Sequence, residues 1–328
     1  MIISRTPTRI SFFGGGTDYP VWYNKYGGEV ISTTINKYSY ITLRYLPKFF
    51  DYNFRIRYFK TEETQTIDEI EHNSVRECAK LLDLNERFEL IHYADLPAKS
   101  GLGSSSTFTV GLLNAIYAMK NYMPTKRELA LNAINIEQNI IGEAVGSQDQ
   151  VAAAWGGFNS IKFSEDRTFE VNPIRINSNM LEQLQSSLLM IFTGFSRFAN
   201  DIAVHQIKES LGRKKELQDM EALTQEATNL LRSNSDMDEF GKLLNLQWKI
   251  KRSLTSKIST PKIDEIYETG LNNGAIGGKL LGAGGGGFIL FYAPKSSHAK
   301  ICAALSDKLT VPFRFESTGS QIIYLTHE

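Results

Sequence analysis

Cysteine is scarce. Cys78 and Cys302 are the only two in 328 residues, one in each half and neither in a CxxC spacing. That excludes a zinc cluster or disulfide framework built from cysteine and fits a reducing cytoplasm. Long hydrophobic runs are missing as well: nowhere do 18 apolar residues follow one another. The opening MIISRTPTRI also has no apolar stretch of the signal-peptide kind, so neither secretion nor a membrane partner is expected. Nor is there an excess of charge. With 36 lysines and arginines against 36 aspartates and glutamates, no global positive field attracts a polyanion, and no nucleic-acid partner is expected. His72, His92, His205, His298 and His327 share no metal-ligand spacing and read as structural or surface residues. Internal repeats and low-complexity tracts are lacking too.

What is present is the composition of a globular enzyme, 42% apolar and 22% charged, in a length that suits two domains. The chain changes character after residue 156, which sets a first domain over 1–170 and a second over 171–328. Apolar runs around Ile2 to Phe13 and Val30 to Leu46 read as strands, 68–83 as a helix and 87–93 as an alternating strand. A helix follows over 104–120, with Phe108, Leu112, Leu113, Ile116 and Tyr117 on one face, then another over about 126–142. GSQDQVAAAWGG reads as a turn and a short buried run bracketed by glycines. In the second half NMLEQLQSS is a helix, LLMIFTG a strand and 197–232 a long polar helical stretch. Thr260 before Pro261, with Gly274 beyond, bounds a helix over 261–273. The strand FILFYA, a helix near 296–308 and strands near 311–316 and 320–326 complete a layered α+β fold. FFDYNFRIRYFK at 49–60 interleaves aromatics with Arg55, Arg57 and Lys60, and its period of two marks a half-exposed strand or hairpin arm rather than a nucleic-acid platform.

PAKSGLGSSSTFTV, residues 97–110, sets two glycines and four serines, three of them consecutive at 104–106, between a strand and a helix. Gly101 and Gly103 permit a close approach of backbone to ligand, and amides bared ahead of a helix form a concave site for phosphate. Three serines are more than capping needs, so one caps the helix while another serves phosphate or a bound magnesium. The loop is not GxxxxGK[ST], because Ser104 stands where lysine is required. GAGGGG at 282–287 formally satisfies GxGxxG, yet it opens a strand instead of a helix, which excludes the dinucleotide fingerprint. So many glycines imply a backbone brought close to another loop or to a ligand.

With TPTRISFFGGGTDYP at 6–20, PAKSGLGSSS in the middle and GGKLLGAGGGGF near the end, the chain resembles the GHMP kinases, named for galactokinase, homoserine kinase, mevalonate kinase and phosphomevalonate kinase. The resemblance spans nearly the whole chain. It implies an ATP-dependent phosphotransferase with an N-terminal βαβ-rich domain, a C-terminal ferredoxin-like domain, and substrate between them. It implies that Pro97, Lys99, Ser100 and Gly101, followed by Leu102, Gly103, Ser104, Ser105 and Ser106, hold ATP. It also implies that Ser105 and Glu137 hold Mg2+ and that Asp149 is the catalytic base beside Arg9. These roles are physically coherent. Phosphoryl transfer asks mainly for positioning and charge cancellation, Mg2+ prefers oxygen ligands, and an aspartate kept ionised by a cation can take a sugar hydroxyl's proton.

Asp18 stands where the family's sugar kinases use an aspartate to accept hydrogen bonds from ring hydroxyls, so the resemblance assigns Gly15, Gly16, Thr17 and Asp18 to a sugar acceptor. The galactokinase pattern GEHTDY has glutamate and histidine at the places of Gly15 and Gly16, which implies a different, wider pocket here. GGGTDYP together with GSQDQVAAAWGGFN most resembles the D-glycero-D-manno-heptose 7-phosphate 1-kinases. A phosphate already on the acceptor needs a second anion site. Arg197, after a strand and at a helix start, and Lys279 are its candidates, with Gly284 and Gly285 beside the substrate. The alternatives are a 1-kinase of an unphosphorylated fucose- or mannose-like sugar and a non-catalytic sensor of ATP and sugar. The expected partner is therefore a small sugar phosphate, and a homodimer is compatible with the sequence.

Overall fold

The computed structural model describes residues 1–98, 100–195, 199–210, 212–233 and 236–326. Its first half is built on two long strands. β1 (Ile2–Phe13) passes through a glycine corner and α1 (Pro20–Tyr26) into β2 (Gly28–Tyr45), and the two strands pair antiparallel. β3 (Phe54–Arg57) and β4 (Thr61–Thr64) form the hairpin expected of the aromatic and basic run. α2 (Asn73–Leu81) then leads to β5 (Phe88–Ala94), which pairs antiparallel with β2 and parallel with β3. That crossover is the βαβ element of the first half; the other pairs among the described residues are antiparallel. On β5, Glu89 accepts from Arg55 Nε of the hairpin and from Arg44 Nε of β2, both at 2.6 Å, so Arg55 is answered within the sheet, while Lys60 pairs with Glu71.

α3 (Ser104–Met119) departs from its expected single apolar face. It is buried almost all round, because it lies between the sheet and three other helices: α2, α4 (Lys126–Ile134) and α5 (Gln148–Trp155). Nor does the helix predicted over 126–142 continue regularly. After Ile134 it widens into a π-helical segment, Asn135–Ile140. GSQDQVAAAWGG, read as a turn with a buried run, is helical in α5: its alanines favour helix, and Gly156 at φ 70° ends it. β6 (Phe158–Phe163) and β7 (Phe169–Pro173) close this half.

The second half runs α6 (Ser178–Ser187), β8 (Leu188–Phe192), α7 (Ala199–Ser210), α8 (Lys214–Arg232), α9 (Asp238–Ser253), α10 (Pro261–Asn272), β9 (Gly277–Leu280), β10 (Phe288–Tyr292), α11 (Lys295–Ala304) and β11 (Leu309–Thr310). Thr260 caps α10 as the sequence predicts, its hydroxyl accepting from Ile263 N. The strands stand in the order β11-β8-β10-β9, each antiparallel to its neighbour, which is the ferredoxin-like arrangement. The chain does not stay there. β12 (Phe315–Glu316) pairs with β2 and β13 (Gln321–Leu325) with β1, so the last residues belong to the first sheet, not to the second domain expected over 171–328. Among the described residues, β1–β7 with β12 and β13 make one nine-stranded sheet.

Strands β8 and β10 are apolar throughout because each faces two cores. Leu188, Met190, Phe288, Leu290 and Tyr292 pack with Ile10, Phe12 and Phe13 of β1, whereas Leu189, Ile191, Ile289 and Phe291 pack with Trp248 and Tyr267 on the opposite side. The first of these cores joins the two halves and fixes β1 against the second sheet. Among the described residues no helix is long and apolar enough to cross a membrane.

Candidate active site

Two glycine loops meet by backbone where the halves join. A Cβ on Gly101, whose φ is 83°, would lie 2.4 Å from Leu281 O; one on Gly282 would lie 2.4 Å from Gly101 Cα; and one on Gly287 would lie 2.3 Å from Ser100 O. No other residue fits at these points without parting the loops. The contact accounts for the glycine density of the second loop and brings it onto the serine loop. Gly103, at φ 72°, is the N-cap of α3, so the cap position is a glycine and not one of the serines. No side chain at that position stands where an anion would sit before the first turn.

Against the serine loop lies a cavity of about 160 Å³ lined by residues of both halves, Arg9, Asp18, Asp149, Lys251 and Lys279 among them. Arg9, central on β1, donates from Nε to Asp149 Oδ1 and from Nη2 to Asp149 Oδ2, each at 2.8 Å, and from Nη1 to Gly101 O at 2.8 Å. One guanidinium thus ties Asp149 to the serine loop, holding the carboxylate in a planar fork. Asp149 sits in the first turn of α5 with its side chain 24% exposed, open to the cavity. Burial pushes its carboxyl above the ordinary value, and Arg9 opposes that rise.

Lys279, on β9, is fully buried and donates from Nζ to Ser11 O and Phe12 O, both at 2.8 Å. Burial pushes it well below the ordinary lysine value, and Lys251 and Arg9 push the same way. It reaches the cavity wall with its ammonium already bound to backbone. Asp18 accepts from Gly16 N and from Gln148 Nε2, both at 2.9 Å. Ser11 Oγ and Gln148 Oε1, both in the lining, are buried with no hydrogen-bond partner among the described residues. Orphaned polar atoms facing a cavity call for a polar ligand.

Glu137, on the π-helical segment, is buried completely; π-bulges of this kind recur at functional sites. Its Oε2 accepts from Ser106 Oγ at 2.8 Å and from Gln150 Nε2 at 2.5 Å, while Oε1 has no partner among the described residues. Burial pushes its carboxyl up to about 7. Hydrogen bonding by Thr109 and Ser106 opposes that rise, and although Glu137 itself does not line the cavity, a carboxylate bonded to a cavity-lining serine fits a hard divalent cation that takes its remaining ligands from phosphate and water. The hydroxyl that bonds Glu137 is that of Ser106, while the expected Mg2+ ligand Ser105 is exposed and also lines the cavity.

The other expected residues divide. Gly15, Gly16, Gly101, Gly103 and the three serines line the cavity. Thr17 does not: its hydroxyl donates to Gly14 O at 2.8 Å and accepts from Glu29 N at 3.2 Å, holding the turn. Leu102 is buried and its carbonyl accepts from Arg9 N at 3.1 Å, Ser100 packs against Gly287, and Pro97 is exposed, so these three shape the loop rather than line the cavity. Gly284 and Gly285 turn away from the cavity to pack on Ile258, whose carbonyl accepts from Gly285 N at 2.9 Å. Lys99 and Arg197 lie outside the described residues. Sequence reasoning missed Lys251, Ser11 and Gln148; a lysine and two uncharged polar residues outside any loop carry no spacing signal.

The family model for the GHMP kinases N terminal domain matches residues 73–157, and that for the GHMP kinases C terminal domain matches residues 220–310. Over 323 residues the chain is 32% identical to a D-glycero-alpha-D-manno-heptose 7-phosphate kinase of Campylobacter jejuni, with 93% of each chain covered. It is 23% identical over 360 residues to a galactokinase of Pyrococcus furiosus, with 96% of each covered. Among solved structures, a D-glycero-D-manno-heptose 1-phosphate kinase from Bacteroides thetaiotaomicron aligns over 100% of both chains with a TM-score of 0.79 and 24% identity, a likeness of fold.

Proposed function

Since the chain belongs to the GHMP kinases, we propose that it transfers the γ-phosphoryl group of ATP to the anomeric hydroxyl of D-glycero-D-manno-heptose 7-phosphate, giving the 1,7-bisphosphate. The bidentate Arg9–Asp149 pair carries this reading: it sets a base and a cation beside Gly103, the glycine that opens α3, in the cavity that Asp18 also lines. The identity shared with the Campylobacter heptose phosphate kinase supports the choice of acceptor. The free Cys78 and Cys302 suit an enzyme of the reducing cytoplasm.

In this mechanism Asp149 accepts the proton of the anomeric hydroxyl as its oxygen bonds to the γ-phosphorus, and the bond from that phosphorus to the bridging oxygen breaks to release ADP. Arg9 keeps Asp149 ionised, and its tie to Gly101 O holds the base in register with the phosphate loop. Asp18, itself oriented by Gly16 N and Gln148, accepts from hydroxyls of the sugar ring. Glu137 and Ser106 would hold Mg2+, which when bound draws charge from the phosphate oxygens.

A coupled assay of ADP release over a panel of sugars and sugar phosphates tests the reading. Turnover with the heptose phosphate well above that with hexoses, fucose and mannose supports it. Preference for an unphosphorylated sugar moves the activity to the plain 1-kinases, and no turnover with any acceptor makes the protein a sensor.

A further inference from the structure

Lys251 projects from α9 of the second half into the cavity and is 5% exposed. Among the described residues its ammonium meets a single acceptor, Gly282 O at 2.6 Å. An ammonium carries three N–H donors, so two remain for a ligand. The other two cations of the wall are engaged, Arg9 by Asp149 and Gly101 O, Lys279 by two carbonyls.

The space beside Gly15 shows where those donors lead. A Cβ on Gly15 would lie 3.6 Å from Lys251 Nζ, 3.7 Å from Ser11 Oγ and 3.8 Å from Gln148 Nε2. Gly15, unlike Gly14 and Gly16, has no positive φ, so its backbone does not demand glycine; what the missing side chain leaves is room. Three donor groups on three elements surround that room: an ammonium, a hydroxyl with no partner, and an amide whose Nε2 keeps one hydrogen after bonding Asp18. At the same place the GEHTDY pattern puts a glutamate. The subsite here has the opposite sign.

We propose that Lys251, Ser11 and Gln148 form an oxyanion subsite over Gly15 that takes the phosphate already carried by the acceptor. The proposal rests on the reading of this cavity as the phosphoryl-transfer site. Lys251 is then the residue that makes the enzyme prefer a charged acceptor over a neutral one.

Two variants test it from opposite directions: Lys251→Met removes the cation at constant length, and Gly15→Ala fills the room without backbone strain. In steady-state kinetics with heptose 7-phosphate and unphosphorylated heptose, each variant is expected to lower the ratio of kcat/KM for the two acceptors at least tenfold, mainly through KM. Lys251→Arg is expected to restore part of the ratio. A proportionate loss with both acceptors, or no loss, overturns the proposal. Calorimetric titration of inorganic phosphate into protein whose nucleotide site is filled with a non-hydrolysable ATP analogue separates the subsite from the reaction. Binding by the wild type that both variants lose supports the subsite even if neither acceptor is turned over, in which case only the functional reading falls. No phosphate binding by the wild type, or equal binding by the variants, refutes the subsite.

Discussion

Two effects on the Asp149 carboxyl oppose each other: burial raises it above the ordinary value and Arg9 beside it pulls it back down, a balance that suits the proton acceptor of the proposed reaction. Asp149→Asn keeps the side chain's shape but abolishes the proton acceptor, so kcat is expected to fall roughly 10²- to 10⁴-fold. It also leaves Arg9 buried without a counter-charge, at a cost of about 3–5 kcal/mol, so the rate must be read at a temperature where circular dichroism shows the variant folded. Undiminished turnover there would remove Asp149 from the mechanism. Lys251 leaves a signature in stability. Burial pushes its ammonium down to about 8 from 10.5, with Asp18 and Asp149 pulling it up and Arg9 pushing it further down. A cation depressed in the fold contributes stability that is complete above the unfolded value and is lost as pH falls through the folded one. From pH 8 to 10.5, wild type is therefore expected to gain about 3 kcal/mol relative to Lys251→Met in denaturant unfolding. Parallel curves for the two proteins would show the ammonium to be solvated.

At the scale of elements, the site is made by a contact between two loops at glycines that have no side chains. Gly101 and Gly282 touch through their backbones, and the carbonyl of Gly101 is also the acceptor for Arg9 Nη1. A Cβ at Gly101 meets both difficulties at once: a left-handed backbone costs an L-residue about 1–2 kcal/mol, and Leu281 O stands 2.4 Å away. Gly101→Ala must part the loops, dragging Arg9 and the start of α3 with it. A lowered Tm and a KM for ATP raised by roughly tenfold, the equivalent of 1.4 kcal/mol, are expected. If KM for ATP is unchanged while Tm drops, the serine loop does not hold the nucleotide. The neighbouring π-helical segment works by shape in the same way: the widened turn at Asn135–Ile140 lies where Glu137 meets Ser106.

For the molecule as a whole, the glycine loops were legible in the sequence because each is a short run whose composition has few other uses, and the second opens a strand. Arg9 in TPTRISFF and Asp149 in SQDQ were singled out by resemblance to the family's motifs, and the structure brings the two together. Lys251 was not legible, since LNLQWKIKRS reads as an ordinary amphipathic helix with its lysines in water, and only the packing of α9 beneath the second glycine loop buries it. The return of the C-terminus to the first sheet was hidden for a different reason: β12 and β13 are two and five residues long, too short for a pattern to declare their partners. That return bears on the chemistry. Ser320 N donates to Ala153 O at 2.9 Å, and its Oγ bonds Thr6 Oγ1 at 2.8 Å, so the last segment clamps the C-terminal end of α5 to β1, the strand that carries Arg9. Asp149 stands at the other end of the same two-turn helix. A Cβ on Gly319 would lie 2.2 Å from Ala154 O, and Gly319→Ala is expected to cost about 1–3 kcal/mol by overpacking, several degrees in Tm. Because the clash pushes on α5, kcat is expected to fall as well, by up to about 10²-fold if Asp149 is displaced by 1 Å. Leu325→Ala, on the exposed face of β13, destabilises the strand without touching α5 and serves as the comparison. Equal activity in the two variants at matched fractions folded would mean that the C-terminal segment only closes the sheet and does not position the base.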